Sequence, residues 1–533
     1  MKYPIGIQSF DQIIQDGYVY VDKTALIYDM VRNGKVYFLS RPRRFGKSLL
    51  VSTLKAYFQG KKDLFHGLAI SDMENEWAEY PVFHIDFNGV DATRPGELEA
   101  KIEGLISSWE EEYGDDPIYT TTGDRFRQVL KRACERHGRR AVVLIDEYDK
   151  PILDVLDITE VLGTDGMQCS LEDTNRQILK TFYSVFKAAD EYLQFVLLTG
   201  VTKFSQVSVF SGFNQPADIS MDRRYEALCG ITESELYAYF EEPLKNLARR
   251  YGFSEEEMKA KLKRQYDGYH FSDEMTDIYN PFSILNTFAS QRIDDYWFRS
   301  GTPSYLVRLL NHTEEGIDEL TGRYYDPSEF VDYKADVEKP LPMIYQSGYL
   351  TIKDCNLRHN TFLLDFPNDE VRKGFLTMVA SNYLKTKESP GGWTVEVVSA
   401  LEHGDVESFR KLLTGFLADI PYAMRRKETE RERERYFHYT FYLLMRMIGC
   451  YTVYTEKQQS EGRVDCIVEV PDYIYIFEFK LDGTAAEALE QIEAKGYAKP
   501  YMADSRKVYM LGVSFSSKTG TVEDWEVKSW SVS

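Results

Sequence analysis

Apolar residues gather along this chain in two rhythms. Short continuous runs bounded by polar or turn residues mark strands buried on both faces. They are Val36-Tyr37-Phe38-Leu39-Ser40, Val82-Phe83-His84-Ile85-Asp86-Phe87, Ala141-Val142-Val143-Leu144-Ile145-Asp146-Glu147 and Leu193 to Gly200. Helical patterns separate these runs, and that alternation predicts a doubly wound parallel sheet. From about Tyr225 to Ser389 the pattern is helical with a short strand pair, Tyr345 to Ile352 as one arm of a hairpin and Thr361 to Phe366 as the other. Ser389-Pro390-Gly391-Gly392 reads as a turn or linker. Beyond it the mixed-charge run Arg425 to Arg435 is a solvated helix start leading into the apolar helix Tyr436 to Met445. The run Tyr473-Ile474-Tyr475-Ile476-Phe477-Glu478-Phe479-Lys480 is a strand with Glu478 and Lys480 on one face and Tyr475, Phe477 and Phe479 on the other. The expected units are 1–225, 226–389 and 390–533, in line with a prior of roughly 150 residues per domain.

Chemistry enters where the first strand ends. Val36–Ser40 runs into Arg41-Pro42-Arg43-Arg44-Phe45-Gly46-Lys47-Ser48. A turn ending at Gly46 can aim backbone N–H groups at phosphate oxygens. Lys47 can reach the β- and γ-phosphates, the Ser48 hydroxyl can hold Mg²⁺, and the next helix adds its positive N-terminal end. The usual G-x-x-x-x-G-K-S/T pattern has a glycine where this chain has Arg41, and a bare Gly-Lys-Ser is also an ordinary helix start. A second signal supports the first. In a P-loop ATPase an acid placed like Asp146 helps hold Mg²⁺ and one placed like Glu147 polarises the attacking water. Taken alone, a strand ending in Asp-Glu is equally a structural feature. Thr199 would set a hydroxyl beside Asp146 if their strands pair, or simply cap the following turn. Together the signals predict ATP binding.

Composition narrows the setting. The six cysteines, Cys134, Cys169, Cys229, Cys355, Cys450 and Cys466, lack paired spacing, so neither a disulfide framework nor a zinc site is expected. No apolar run approaches the roughly 18 residues of a membrane span, and the start Met1-Lys2-Tyr3-Pro4-Ile5-Gly6 has no signal-peptide h-region. A soluble cytoplasmic protein without membrane association is expected. A formal net charge of −21 repels nucleic acid at long range, so binding requires a local basic surface.

The last domain carries its own constellation. If Asp465, in Gly462-Arg463-Val464-Asp465, ends the strand beside Tyr473 to Lys480, Asp465 and Glu478 form a paired oxygen site for Mg²⁺. Lys480 is then placed to orient water or stabilise a phosphorane charge, the arrangement used by the PD-(D/E)XK nuclease fold. In the middle region, Arg223 and Arg224 are arginine-finger candidates, with a plain surface pair as the simpler reading.

The combination Tyr20-Val21-Asp22-Lys23-Thr24, Arg41 to Ser48, Asp146-Glu147-Tyr148-Asp149-Lys150-Pro151 and Thr199-Gly200-Val201-Thr202-Lys203-Phe204-Ser205 resembles the bacterial AAA-ATPase-like family. Members of that family typically carry a C-terminal PD-(D/E)XK nuclease-like domain. The likeness is dense over about the first 225 residues, and the arginine-rich turn lacking a first glycine is the family's own variant. Leu228-Cys229-Gly230-Ile231-Thr232, Tyr266-Asp267-Gly268-Tyr269, Tyr279-Asn280-Pro281-Phe282-Ser283 and Trp297-Phe298-Arg299-Ser300-Gly301-Thr302-Pro303 extend it through the middle. The resemblance implies an α/β architecture: a P-loop ATPase with a parallel sheet, a helical, winged-helix-like lid, and a restriction-endonuclease-like C-terminal domain. A lid is preferred to a DNA reader, because this stretch shows no basic recognition helix.

The implied nucleotide-contacting set is Arg41, Arg43, Arg44, Phe45, Gly46, Lys47, Ser48, Leu49 and Thr199, with Ser48 and Asp146 on Mg²⁺ and Glu147 catalytic. In the nuclease-like domain the implied catalytic residues are Asp465, Glu478, Lys480 and Gln491. Asp465, Glu478 and Glu434 would hold Mg²⁺, with Mn²⁺ as an alternative ion. Expected partners are ATP and nucleic acid, DNA before RNA, with homo-oligomerisation open. The function expected is ATP binding and hydrolysis coupled to metal-dependent nucleic-acid cleavage. The alternative is a nucleotide-dependent switch or scaffold whose nuclease-like domain only binds.

Overall fold

A strand with no polar face must be covered on both sides, and the apolar runs are satisfied in that way. In the computed structural model they form one five-stranded parallel sheet in the spatial order Val82–Asp86, Ala141–Asp146, Leu193–Gly200, Val36–Ser40, Ala217–Asp218. Every residue of Ala141–Asp146 is buried. Helices Lys47–Phe58, Thr122–His137 and Leu171–Tyr183 lie in the connections between strands. The strand Leu193–Gly200 separates Val36–Ser40 from Ala141–Asp146, with Leu39 opposite Thr199 and Ile145 opposite Leu198. The ends of three strands that carry polar residues therefore meet at one edge of the sheet.

The structure describes residues 1–156, 161–162, 168–204, 216–301, 306, 320–332, 339–384, 390–419, 439–445, 452–459, 462–501 and 504–530. They divide into two compact units, one taking the described residues from Met1 to Asn368 and the other those from Asp369 onward.

The first unit continues past the parallel sheet into helices Glu233–Tyr239, Glu241–Tyr251, Glu255–Tyr266 and Pro281–Ser290. Their apolar faces bury Leu236, Phe240, Leu247, Leu262, Ile284 and Phe288 together, with Tyr3, Val19 and Val21 packed against them. Thr232 and Ser254 start two of these helices with capping boxes to Glu235 and Glu257, satisfying N–H groups that a helix end leaves open. An antiparallel sheet of three strands follows, in the order Arg323–Tyr325, Thr361–Asp365, Thr351–Asn356. The hairpin expectation needs one correction. Tyr345 and Gln346 close the helix Leu341–Gln346, the chain turns at Gly348 with φ 86°, and the strand begins only at Thr351. A short apolar run fits either a buried helix or a strand, and here the helix forms.

In the second unit, Pro390, Gly391 and Gly392 open the helix Pro390–Glu402. Proline is well tolerated in a first helical turn because its missing N–H would find no partner there. Ser389 and the run Arg425–Arg435, with Glu434, lie outside the described residues. Five strands form a mixed sheet in chain order, Thr452–Gln459, Gly462–Glu469, Tyr473–Leu481, Lys507–Phe515 and Val522–Trp530, antiparallel except for the pair Tyr473–Leu481 and Lys507–Phe515. That parallel pair is joined through the helix Ala485–Ala494, which covers one sheet face by packing Leu489 and Ile492 against Ile474 and Ile476. On the opposite face, residues 439–445 are helical. Phe441 there packs edge-on against Phe479 and tilted against Phe477, at 4.4 and 5.3 Å between ring centroids.

Candidate functional site

At the N-terminal site the loop after Val36–Ser40 passes through Arg44 at φ 64° and Gly46 at φ 95° before the helix Lys47–Phe58 begins. Lys47 is 4 % exposed, and its Nζ donates to the carbonyls of Arg41 and Pro42 at 3.0 and 3.2 Å. Both partners are neutral. Two strands away, Asp146 is buried and its Oδ1 accepts from Thr199 Oγ1 at 2.6 Å. The strands do pair, so Thr199 stands between the lysine loop and the acid. Glu147 follows at φ 54°, a left-handed conformation that costs a side chain other than glycine on the order of 1 kcal/mol and marks a strained strand end.

The arginines of the loop divide by environment. Arg41 is 1 % exposed, and its guanidinium donates to the carbonyls of Ser40 and Ser220 at 2.9 and 2.7 Å and to that of Tyr225 at 3.3 Å. Its hydrogen bonds thus run into the protein. Arg43 donates to the Gly301 carbonyl, and Arg44 lies over the ring of Phe282 at 4.1 Å. Phe45 is buried, and Ser48 and Leu49 are half-buried. Arg223 and Arg224 are both ion-paired locally, to Asp273 and Glu274 and to Asp222.

A cavity of about 100 Å³ opens beside Gly46, lined by Val19, Tyr20, Lys23, Leu49, Leu50 and Cys229 among others. Its wall is mostly apolar and includes Lys23, whose Nζ holds both oxygens of Glu235 at 2.6 and 2.5 Å. Burial lowers the Lys23 pKa and Glu235 opposes the shift.

Two residues of this site have no role assigned from sequence. Asp149 is fully buried; its Oδ2 accepts the N–H groups of Val201 and Thr202 at 2.9 and 2.5 Å, while Oδ1 has no hydrogen-bond partner among the described residues. Burial, reinforced by Glu147, pushes its pKa up to about 7. Tyr148 donates its hydroxyl to the Thr202 carbonyl at 2.7 Å. Together they tie the end of the acid strand to the segment after Thr199. The visible signal is Gly200, where an added Cβ would lie 2.6 Å from Asp149 Oδ1 and 2.7 Å from the Tyr148 ring.

In the second unit the central strand brings four predicted residues together. Asp465 sits inside Gly462–Glu469 and not at its end, but the register with Tyr473–Leu481 begins only at Cys466. One step beyond that register, the Asp465 carboxylate accepts the Phe479 N–H at 2.8 Å. Glu478 is 2 % exposed, with Oε1 accepting from Gln491 Nε2 and Oε2 without a hydrogen-bond partner among the described residues. Gln491 in turn accepts from Lys480 Nζ at 2.6 Å. Burial first, and then the neighbouring Asp465 charge, raise the Glu478 pKa to about 8. Two neighbouring carboxylates, one of them with an oxygen that is buried and unpaired among the described residues, form a donor set suited to a hard divalent cation. Among the described residues no cluster of three or more His, Cys, Asp or Glu with metal-site geometry occurs.

Comparison with known proteins follows this two-part geometry. Residues 4–210 match the family model described as predicted AAA-ATPase, and residues 432–525 match that of the PD-(D/E)XK nuclease superfamily. An uncharacterized protein of the vnfD 5′ region of Azotobacter chroococcum mcd 1 is 35% identical over 533 residues, covering 99% of each chain. Among solved structures, the Aeropyrum pernix ORC1 protein in complex with DNA is similar at 10% identity over 87% of this chain and 93% of that one. Its TM-score is 0.25, too slight a likeness to bear on function. Among the described residues no helix is long and apolar enough to cross a membrane. With one family model at each site and a relative matched from end to end, the chain belongs to the family of AAA-ATPase-like proteins that carry a C-terminal domain of the PD-(D/E)XK nuclease superfamily.

Proposed function

We propose that the first unit binds and hydrolyses ATP, that the second cleaves nucleic acid, DNA before RNA, with a divalent metal, and that nucleotide occupancy regulates cleavage. The observation that carries the reading is Lys47: an ammonium 4 % exposed at a helix N-terminus, bonded only to neutral carbonyls among the described residues, beside the Asp146–Thr199 pair. A buried cation whose direct hydrogen bonds all go to neutral carbonyls has no carboxylate in contact with it, and a triphosphate supplies anionic partners. The cavity beside Gly46 suits the base, Ser48 and Asp146 would hold Mg²⁺, Thr199, bonded to Asp146, would sense the γ-phosphate, and Glu147 would orient water.

In the second unit Asp465 and Glu478 fit Mg²⁺ or Mn²⁺, and Glu434 is a further candidate ligand. Such an ion acts as a Lewis acid on a phosphodiester and lowers the pKa of bound water. Lys480 lies beside the two acids, and Gln491 fixes its direction by bridging it to Glu478.

The test uses the full chain. Lys47→Ala is expected to abolish binding of a fluorescent ATP analogue. Asp465→Ala and Lys480→Ala are each expected to slow Mg²⁺- or Mn²⁺-dependent DNA cleavage by about 10² to 10³, the scale for losing one charged stabilising group. Undiminished cleavage in both would instead make the second unit a non-catalytic binding module. Cleavage by the Lys47→Ala protein that matches wild type with and without ATP would remove the regulatory link.

A further inference from the structure

Each of five consecutive residues in the phosphate loop is held by the region between Gly230 and Gly348, the stretch whose sequence implies a lid. Arg41 stacks over the Phe271 ring at 4.0 Å. Pro42 lies against Gly348, where an added Cβ would come within 2.6 Å of the proline ring. The Arg43 carbonyl accepts from Trp297 Nε1 at 3.0 Å, and its guanidinium reaches the Gly301 carbonyl. Arg44 lies over Phe282. Phe45 is boxed by Tyr269 and Phe271 at 4.8 and 5.6 Å between ring centroids, and its carbonyl accepts the Gly230 N–H at 3.1 Å.

Two of these bonds have a specific consequence. A peptide unit is planar and trans, so fixing a carbonyl fixes the N–H of the next residue on the opposite side. Trp297, through the Arg43 carbonyl, sets the direction of the Arg44 N–H. Gly230, through the Phe45 carbonyl, sets that of the Gly46 N–H. These are amides of the kind that face phosphate in such a loop. An ordinary loop opens on a glycine and takes its shape at little cost in strain, whereas this one opens on Arg41 and holds Arg44 at φ 64°.

We infer that Trp297, Phe282 and Phe271 are positioning residues for the phosphate loop, so that the middle region sets nucleotide affinity and ATP occupancy is read out there. The inference rests on the ATP-binding reading above. Coupling of this kind is reciprocal: whatever holds the loop in its binding shape is itself held when nucleotide binds.

Trp297→Phe removes the N–H donor while leaving an aromatic ring, smaller than the indole, beside Tyr349, whose ring lies 5.2 Å from that of Trp297 in the wild type. Binding of a fluorescent ATP analogue by the full chain is expected to weaken about fivefold, the scale of one hydrogen bond. KM for ATP should rise with it while kcat at saturation stays unchanged. Phe282→Leu is expected to act in the same direction. Hydrogen exchange on the wild type, which needs no variant to fold, should show the amides of residues 281–301 slowed by ATP, and not in the Lys47→Ala protein. Unchanged affinity in both middle-region variants would overturn the inference, as would a lower kcat at constant KM or exchange indifferent to ATP. A wild type that binds no ATP analogue would instead overturn the nucleotide-binding reading beneath it.

Discussion

Burial decides what Arg41 and Asp149 do in the fold. Arg41 stands where a phosphate-contacting glycine is usual, and its charge is directed inward to carbonyls and an aromatic ring. Its planar fork suits that arrangement as a lysine would not. Asp149 is the opposite case, an acid for which burial favours the neutral form. Its carboxyl titrates near 3.9 in an unfolded chain and near 7 in the fold. Between those values the folded state holds the extra proton, so the stability this group contributes is full below about pH 4 and lost as pH rises through 7. Asp267 shifts in the same sense, also to about 7. In Asp149→Asn the acceptor for Val201 and Thr202 persists and the titration does not. The loss of stability of the first unit between pH 5 and pH 8 should therefore shrink in the variant, by on the order of 2 kcal/mol, read from urea midpoints. Equal losses in the two proteins would clear Asp149 of the effect.

At the scale of elements, the strand Tyr473–Leu481 and the helix Ala485–Ala494 build the second site between them. The strand supplies Glu478 and Lys480 on one face by simple alternation, and the helix supplies Gln491 to span them. Without a cation Glu478 holds its proton up to about pH 8, so metal binding must displace it. Apparent affinity for Mn²⁺ should then rise nearly tenfold per pH unit below 8 and level off above it. Calorimetry in buffers of different ionisation enthalpy would report about one proton released near pH 7, and a pH-independent affinity with no proton released would remove Glu478 from the site. Alternation made Glu478 and Lys480 legible in the sequence, and continuous burial did the same for the parallel strands. Tyr345 was not legible, because a short apolar run suits a helix end as well as a strand. Nor was the grip on Arg41 to Phe45: its partners lie far along the chain, and no local pattern couples Trp297 to the Arg43 carbonyl. Asp149 was in view beside Asp146 and Glu147, but only the close approach at Gly200 shows what its carboxylate binds.

On the scale of the whole molecule, the two compact units each have a buried core of their own, one built around Phe240, Leu262 and Ile284 and the other around Ile474, Ile476 and Ile492. A chain with two cores is not bound to unfold in one step. Calorimetry of the full chain is expected to show two transitions, and ligands should sort them, because a ligand stabilises only the structure that binds it. At a concentration one hundred times its Kd, a ligand adds about 2.7 kcal/mol, enough to move a transition by several degrees. ATP with Mg²⁺ should raise the transition of the unit containing Lys47. Mn²⁺ alone should raise that of the unit containing Asp465 and Glu478, and more at pH 8 than at pH 6, since the ion must displace the Glu478 proton. The substitutions provide the assignment: Lys47→Ala should cancel the first shift and leave the second, and Asp465→Ala should do the reverse. If ATP raised both transitions equally in wild type and neither in Lys47→Ala, the two units would unfold as one cooperative block. Nucleotide control of the second site would then be a property of the whole chain, with no separate step in which the first unit responds alone.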